Sequence, residues 1–162
     1  MISIIVAVAS NNAIGMNNEL LWHIPDDMKR FKKLTLGHCL IMGKNTWYSL
    51  PRRPLPGRTN IVLTDVPCEC LDDCVTAYSL EDALDKCEEG KEVFIIGGGS
   101  VYRQFLDRAD RMYITHVHKD FDADTFFPDI DPEVWEVMDR EDDNRADEVE
   151  FSWSYITYQR KK

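Results

Sequence analysis

One carboxylate stands out by its position. Residues Pro25 to Thr35 read as an amphipathic helix with proline at its start. Taking about 100° per residue with Asp27 as origin, Leu34 falls near −20°, Phe31 near 40°, Thr35 near 80° and Met28 near 100°. Asp27 therefore lies inside the apolar arc, while Asp26, Lys29, Arg30, Lys32 and Lys33 fall outside it. A carboxylate on an apolar face is costly to desolvate, and such groups cluster at functional sites. Burial raises its pKa and the helix N-terminus lowers it. A buried carboxylate can hydrogen-bond a planar N–H/NH2 edge with both oxygens. The competing role is capping of the helix start, which Asp26 could fill equally well.

Two glycine turns offer a second kind of chemistry. Ile95-Ile96-Gly97-Gly98-Gly99-Ser100-Val101-Tyr102 runs from a buried strand through glycines into a helix. Gly43-Lys44-Asn45-Thr46 is another strand-to-helix turn, with a lysine. Backbone N–H groups exposed at such turns suit phosphate. Neither turn matches a full dinucleotide or P-loop pattern, because Tyr102 occupies the last glycine position of the first and Asn45 follows the lysine of the second. Two such turns together suggest a pyrophosphate-containing ligand; tight packing is the alternative for each alone. Arg58 follows Pro56-Gly57 on a rigid turn, a placement that suits a carboxylate clamp or simple solvation. Trp22 and Trp47 flank these segments and read as packing residues.

The elements that must position these groups follow from the pattern. Apolar runs predict strands at Ile2–Ala9, Cys39–Met42, Asn60–Leu63 and Val93–Ile96, and alternation predicts one at Met112–Val117. Helices are expected from Pro25 to Thr35, Lys44 to Leu50, about 80–89 behind the N-cap Ser79, and about 99–107. Two late strands, 134–139 and 151–159, form an antiparallel hairpin. Residues 10–24, 51–57 and 65–74 read as loops. Strands alternating with helices and then strands alone imply a single α/β domain spanning 1–162, with a mostly parallel sheet and an antiparallel edge.

Charge and composition narrow the function. With 162 residues, 44 % hydrophobic and 30 % charged, the chain can bury one core. A net charge of −10 argues against a general nucleic-acid binder. The longest apolar run, Ile4 to Ala9, is far too short to span a membrane, and no export signal precedes it. The segment from His23 to Arg58 nevertheless carries eight basic residues against two acidic ones. That is either an attractor for a small anion or a solvated helix face. Five cysteines, an odd count without an export signal, read as reduced thiols of a cytoplasmic protein. Cys68, Cys70 and Cys74 cluster in a spacing that does not favour zinc, and His116 and His118 read as structural or surface residues, so no metal is expected.

The chain resembles dihydrofolate reductase along nearly its whole length. The resemblance rests on Ile14-Gly15-Met16, Trp22-His23-Ile24-Pro25-Asp26-Asp27, Phe31-Lys32, Ile41 to Trp47, Arg53-Pro54-Leu55-Pro56-Gly57-Arg58-Thr59-Asn60, Ile96-Gly97-Gly98-Gly99 and Asp124-Thr125-Phe126-Phe127-Pro128, in that family's order. It implies an eight-stranded mixed sheet with helices on both faces, and reduction of 7,8-dihydrofolate to 5,6,7,8-tetrahydrofolate by NADPH. It implies that Asp27 binds the pterin edge, supported by Thr115, with Leu20 and Trp22 completing the catalytic group. Ile5, Ala7, Met28, Phe31, Lys32, Leu50 and Ile96 would line the substrate site, and Arg58 would clamp the glutamate carboxylate. Gly43, Lys44, Asn45, Thr46, Gly97, Gly98, Gly99, Ser100, Val101 and Tyr102 would hold cofactor phosphates. Ile14 and Leu20 would take the nicotinamide side, with Ala7, Gly15, Leu63, Thr64, Asp65, Ser79 and Thr125 completing the cofactor site. The segment from Asn11 to Leu21 resembles a lid. Antifolate inhibitors are implied as further ligands, and a monomer is expected.

Four departures from the common pattern stand out. These are Leu20-Leu21 in the lid, a loop one residue longer at Pro51 to Pro54, Asp65 in the 2′-phosphate turn, and Ser100 beside the pyrophosphate. A related reductase acting on a pyrimidine intermediate of riboflavin synthesis, and a nucleotide-binding regulatory module, are the alternative readings. Asp27 and Arg58 favour folate over both.

Overall fold

The computed structural model describes residues 1–16, 21–22, 24–50, 52–65, 74–143 and 152–162. Strands β1 (Ile2–Ala9), β3 (Cys39–Gly43), β4 (Thr59–Leu63), β5 (Val75–Ala77), β6 (Val93–Gly97), β7 (Arg111–Val117), β9 (Trp135–Asp143) and β10 (Trp153–Arg160) form one sheet in the order β5-β4-β3-β6-β1-β7-β10-β9. Pairing is parallel from β5 to β7 and antiparallel where β10 joins β7 and β9. A second, two-stranded sheet joins β2 (Ala13–Gly15) to β8 (Thr125–Phe126).

Period-two alternation sends side chains to two cores. Ile4, Val6, Val8, Ile41, Ile61, Ile95, Met112 and Ile114 pack on one face with Val101, Tyr102 and Phe105 of α4 (Gly99–Phe105) and Ala83 of α3 (Leu80–Asp85). Ile5, Leu40, Met42, Val62, Phe94 and Tyr113 pack on the other with Trp47 of α2 (Lys44–Ser49) and Phe31 and Leu34 of α1 (Pro25–Thr35). Each fully buried side chain of this size contributes about 1.5–3 kcal/mol. Trp47 is thus a core residue. The end of the second face is filled by Ile24, Val117, Trp153 and Tyr155, with Trp22 and Phe121 against them.

Helices cover both faces, as the resemblance implies. The helix after Ser79 ends at Asp85, shorter than its pattern suggests, although Ser79 does cap it by accepting from the Asp82 N–H at 3.0 Å. Strand β5 and the β2–β8 pair are additions, lying where the sequence shows no period. Helix α1 starts on Pro25 behind Ile24, whose side chain makes no cap hydrogen bond, with Asp26 and Asp27 in the first turn.

The loop that carries Arg58 is fastened by one amide. Buried Asn60 accepts from the Leu55 N–H and donates to the carbonyls of Leu55 and Arg58, each at 3.0 Å. Asn60→Asp keeps the acceptor and loses both donors. It should lower unfolding stability by about 1–3 kcal/mol in urea titration, the cost of leaving buried groups unsatisfied. An unchanged midpoint would contradict this role.

Candidate active site

Asp27 meets β7 across the α1–sheet interface. Its Oδ1 accepts a 2.6 Å hydrogen bond from the Thr115 hydroxyl. Thr115 is buried, and its register partners are Ala7 on β1 and Tyr155 on β10. Burial pushes the Asp27 carboxyl above the ordinary range, while the Thr115 hydrogen bond and the Arg30 charge pull it back. One Asp27 oxygen is thus fixed, and the carboxylate is aimed by the threonine.

The apolar residues expected around Asp27 come together. Ile5, Phe31, Leu50 and Ile96 share one cluster with Leu34 and Leu55. Met28 and Lys32 lie on the same helix with exposed side chains. Arg58 stands one turn of α1 further on. Its Nε donates to the Pro56 carbonyl at 2.9 Å, its Nη1 to the Thr35 hydroxyl at 3.3 Å, and its guanidinium lies 5.9 Å from the Phe31 ring centre. These contacts hold the guanidinium at the end of the apolar groove rather than leaving it to solvent.

A cleft of about 700 Å³ opens at the carboxyl ends of β1, β3, β4 and β6. Ala7, Ile14, Gly15, Gly43, Lys44, Asn45, Thr46, Leu63, Thr64, Asp65, Ser79, Gly97, Gly98, Gly99, Ser100, Val101, Tyr102 and Thr125 all line it. Ile96 lines it too and belongs to the apolar cluster that also takes Phe31, one helical turn from Asp27. Strands β3 and β6 are neighbours, but α2 and α4 leave them toward opposite faces. That divergence is a topological switch point, where open α/β sheets bind ligands.

Glycine is required at this crevice. Gly97 has φ of +133°, and a Cβ there would lie 3.2 Å from the Thr46 hydroxyl. A Cβ on Gly99 would lie 2.7 Å from Thr125 Cγ2. The buried Tyr102 hydroxyl donates to the Ile5 carbonyl at 3.0 Å, tying α4 to β1 behind the turn.

Other expectations land elsewhere. Leu20, His23 and Pro51, with Cys68 and Cys70, lie outside the described residues. Trp22 packs against Phe121 with ring centres 5.1 Å apart, in the cluster beyond Thr115. His116 and His118 are structural: they hydrogen-bond the Tyr158 and Ser154 hydroxyls at 2.9 and 2.7 Å. Cys39 and Cys87 are free thiols. Among the described residues no group of three or more His, Cys, Asp or Glu is placed to hold a metal.

Arg103, Gln104, Ser49, Tyr78 and Val6 also line the cleft and were not expected there. Arg103 had a usable signal. It stands four residues after Gly99, and helical side chains lean toward the N-terminus, so its guanidinium reaches 3.5 Å from where a Gly99 Cβ would be. Arg30, placed on the solvated face by the helical pattern, instead stacks on Tyr155 at 4.4 Å from the ring centre.

A sheet with a cleft of this size at its switch point, and a half-buried carboxylate held by Thr115, fits an α/β nucleotide-cofactor protein. Comparison with known proteins narrows this. The dihydrofolate reductase family profile matches residues 1–160. Dihydrofolate reductase of Bacillus subtilis (strain 168) is 39 % identical over 161 residues, covering 99 % of this chain and 95 % of its own. The type 3 dihydrofolate reductase of Salmonella typhimurium is 38 % identical over 162 residues, covering 100 % and 99 %. Among solved structures, Enterococcus faecalis dihydrofolate reductase complexed with NADP(H) and RAB-propyl superposes with a TM-score of 0.91 at 34 % identity, covering 100 % of this chain and 97 % of that one. The chain belongs to the dihydrofolate reductase family, and its activity is the reduction of dihydrofolate.

Proposed function

We propose that Asp27 is the carboxylate that binds the pterin edge and promotes protonation of N5 while NADPH reduces 7,8-dihydrofolate to 5,6,7,8-tetrahydrofolate. The observation that carries this is the Thr115-held carboxylate one helical turn from Phe31, whose apolar cluster shares Ile96 with the cleft. The cleft suits NADPH: glycines let the backbone approach closely, and Lys44 and Arg103 supply positive charge. When bound, NADPH supplies the hydride.

Everything else falls to the chain. Ile5, Phe31, Leu50 and Ile96 wall the ring and keep water from the carboxylate, which strengthens its field. Asp27 accepts from the N3 and 2-amino donors and, by its negative charge, favours a proton on N5. The proton itself arrives from water, because Thr115 is committed to Asp27. Arg58, already held by Pro56 and Thr35, clamps the glutamate carboxylate of the substrate and of antifolate inhibitors with a similar tail. The protein acts as a cytoplasmic monomer, and its odd count of five cysteines suits a reducing compartment.

Asp27→Asn separates function from stability. At neutral pH it should cripple hydride transfer, with partial recovery at low pH where substrate protonates unaided. Because burial raises the folded-state pKa, ionised Asp27 destabilises the fold progressively as pH rises from the ordinary carboxylate range through the raised value. The variant should therefore melt at or above the wild-type temperature at neutral pH. Near-wild-type hydride transfer at pH 7 would remove Asp27 from the mechanism.

Arg58→Leu should weaken dihydrofolate binding about 10- to 150-fold, from about 1.5–3 kcal/mol of charge-assisted hydrogen bonding, with cofactor affinity little changed. A substrate lacking the glutamate should show no such loss; equal losses for both substrates would refute the clamp.

NADPH should be preferred over NADH, but modestly, because exposed Asp65 shares the cleft wall with Lys44 and Ser79. Like charges in water repel by only about 1 kcal/mol at 4 Å. The NADPH/NADH ratio of kcat/KM should fall in Lys44→Ala and rise in Asp65→Ser, more so at low salt. A ratio indifferent to Asp65→Ser at low salt would place that side chain away from the 2′-phosphate.

A further inference from the structure

Arg30 occupies a position that the mechanism leaves unused. Its guanidinium lies over the Tyr155 ring, 4.4 Å from the centre. Tyr155 is buried and is the direct register partner of Thr115. Thr115 holds Asp27 at 2.6 Å. Arg30 in turn follows Asp27 by three residues on α1, a spacing at which helical side chains are neighbours. Asp27, Thr115, Tyr155 and Arg30 are therefore brought together by three elements, α1, β7 and β10. An arginine on an exposed helix face samples many rotamers; stacked on a fixed aromatic ring it is held in one place.

The groups facing Asp27 make Arg30 its relevant cation. On α1, Asp26 adjoins it and Arg30 and Phe31 follow at three and four residues; on β7, Thr115 bonds it, with Ala7 of β1 and Tyr155 of β10 as the register partners of Thr115 and Tyr113 two residues away. Burial keeps the Tyr113 phenol protonated. Arg58 stands a turn further along α1, against Phe31. The Arg30 charge acts on the Asp27 carboxyl against the effect of burial.

We propose that Arg30, seated on Tyr155, is a positioning residue that offsets part of the Asp27 charge and so sets the pH at which hydride transfer falls off. This rests on the assignment of Asp27 above. A bare buried carboxylate would hold a proton on the substrate ring up to a higher pH. A fixed cation one helical turn away weakens that pull, and also keeps the carboxylate ionised over a wider range for binding.

The test is the pH profile of single-turnover hydride transfer from NADPH to dihydrofolate in wild type, Arg30→Met, Arg30→Lys, Tyr155→Phe and Tyr155→Leu, and in Asp27→Asn with and without Arg30→Met. Arg30→Met should move the falling limb to higher pH, so that rates on that limb rise about threefold, the size expected for one unit charge at this spacing in high-dielectric surroundings. Arg30→Lys and Tyr155→Phe keep the charge and the ring and should keep the profile. Tyr155→Leu should shift it in the same direction as Arg30→Met. In the Asp27→Asn background, Arg30→Met should still move the limb to higher pH, because the Arg30 charge adds to the field at the ring whether or not the carboxylate is there. If Asp27→Asn is crippled but Arg30→Met superposes on wild type, the inference about Arg30 is wrong and Asp27 stands. If Asp27→Asn itself keeps the wild-type rate and profile at neutral pH, the underlying assignment fails instead.

Discussion

A carboxylate inside an apolar groove is the constraint on which the rest of the site depends. Left alone, Asp27 would be neutralised by its surroundings or would destabilise the helix–sheet interface. The fold answers with a 2.6 Å hydrogen bond from Thr115 and a cation held one helical turn away. Thr115 lies on β7, and the Tyr155 ring that seats Arg30 lies on β10, its direct neighbour. The antiparallel C-terminal edge thus helps to steady a carboxylate that α1 presents to the parallel strands. One Asp27 oxygen is held by the protein, which leaves the other lone pairs for a planar ligand edge.

The cofactor cleft and the carboxylate groove are two consequences of one topology. Parallel strands end together, and the helices leaving β3 and β6 go to opposite faces. The crevice between them collects both glycine turns. Ile96, next to the turn at Gly97, borders cleft and groove alike. On the proposed reading, a hydride donor in one compartment and an acceptor in the other would meet there, so proximity would follow from the strand order itself.

Much of this was legible in residues whose physics is local. The Ile- and Val-rich runs predicted the central strands because burial on both faces leaves no polar interval. Asp27 was legible because an acid in an apolar arc breaks a pattern. Ser79 was legible as a cap. What escaped detection depends on tertiary contact. The β2–β8 pair joins segments of three and two residues, too short to show a period. Arg30 sits at the edge of the helical arc, and only the arrival of β10 gives it the Tyr155 ring to stack on. Arg103 reads as an exposed helix residue until α4 is seen to begin at the cleft, where leaning back by one turn brings its guanidinium over Gly99.

The central claim concerns the state of one carboxyl group, and it can be read directly. In protein carrying 13C-labelled aspartate, the Asp27 resonance is identified by its loss in Asp27→Asn, and its titration is followed in the free protein. The structure predicts a midpoint above the ordinary aspartate value of 3.8, since burial outweighs the Thr115 hydrogen bond and the Arg30 charge. It further predicts that Thr115→Val moves that midpoint higher still. A carboxyl titrating at or below 3.8, indifferent to the loss of Thr115, would show that Asp27 is solvated rather than buried and would contradict the account at its base.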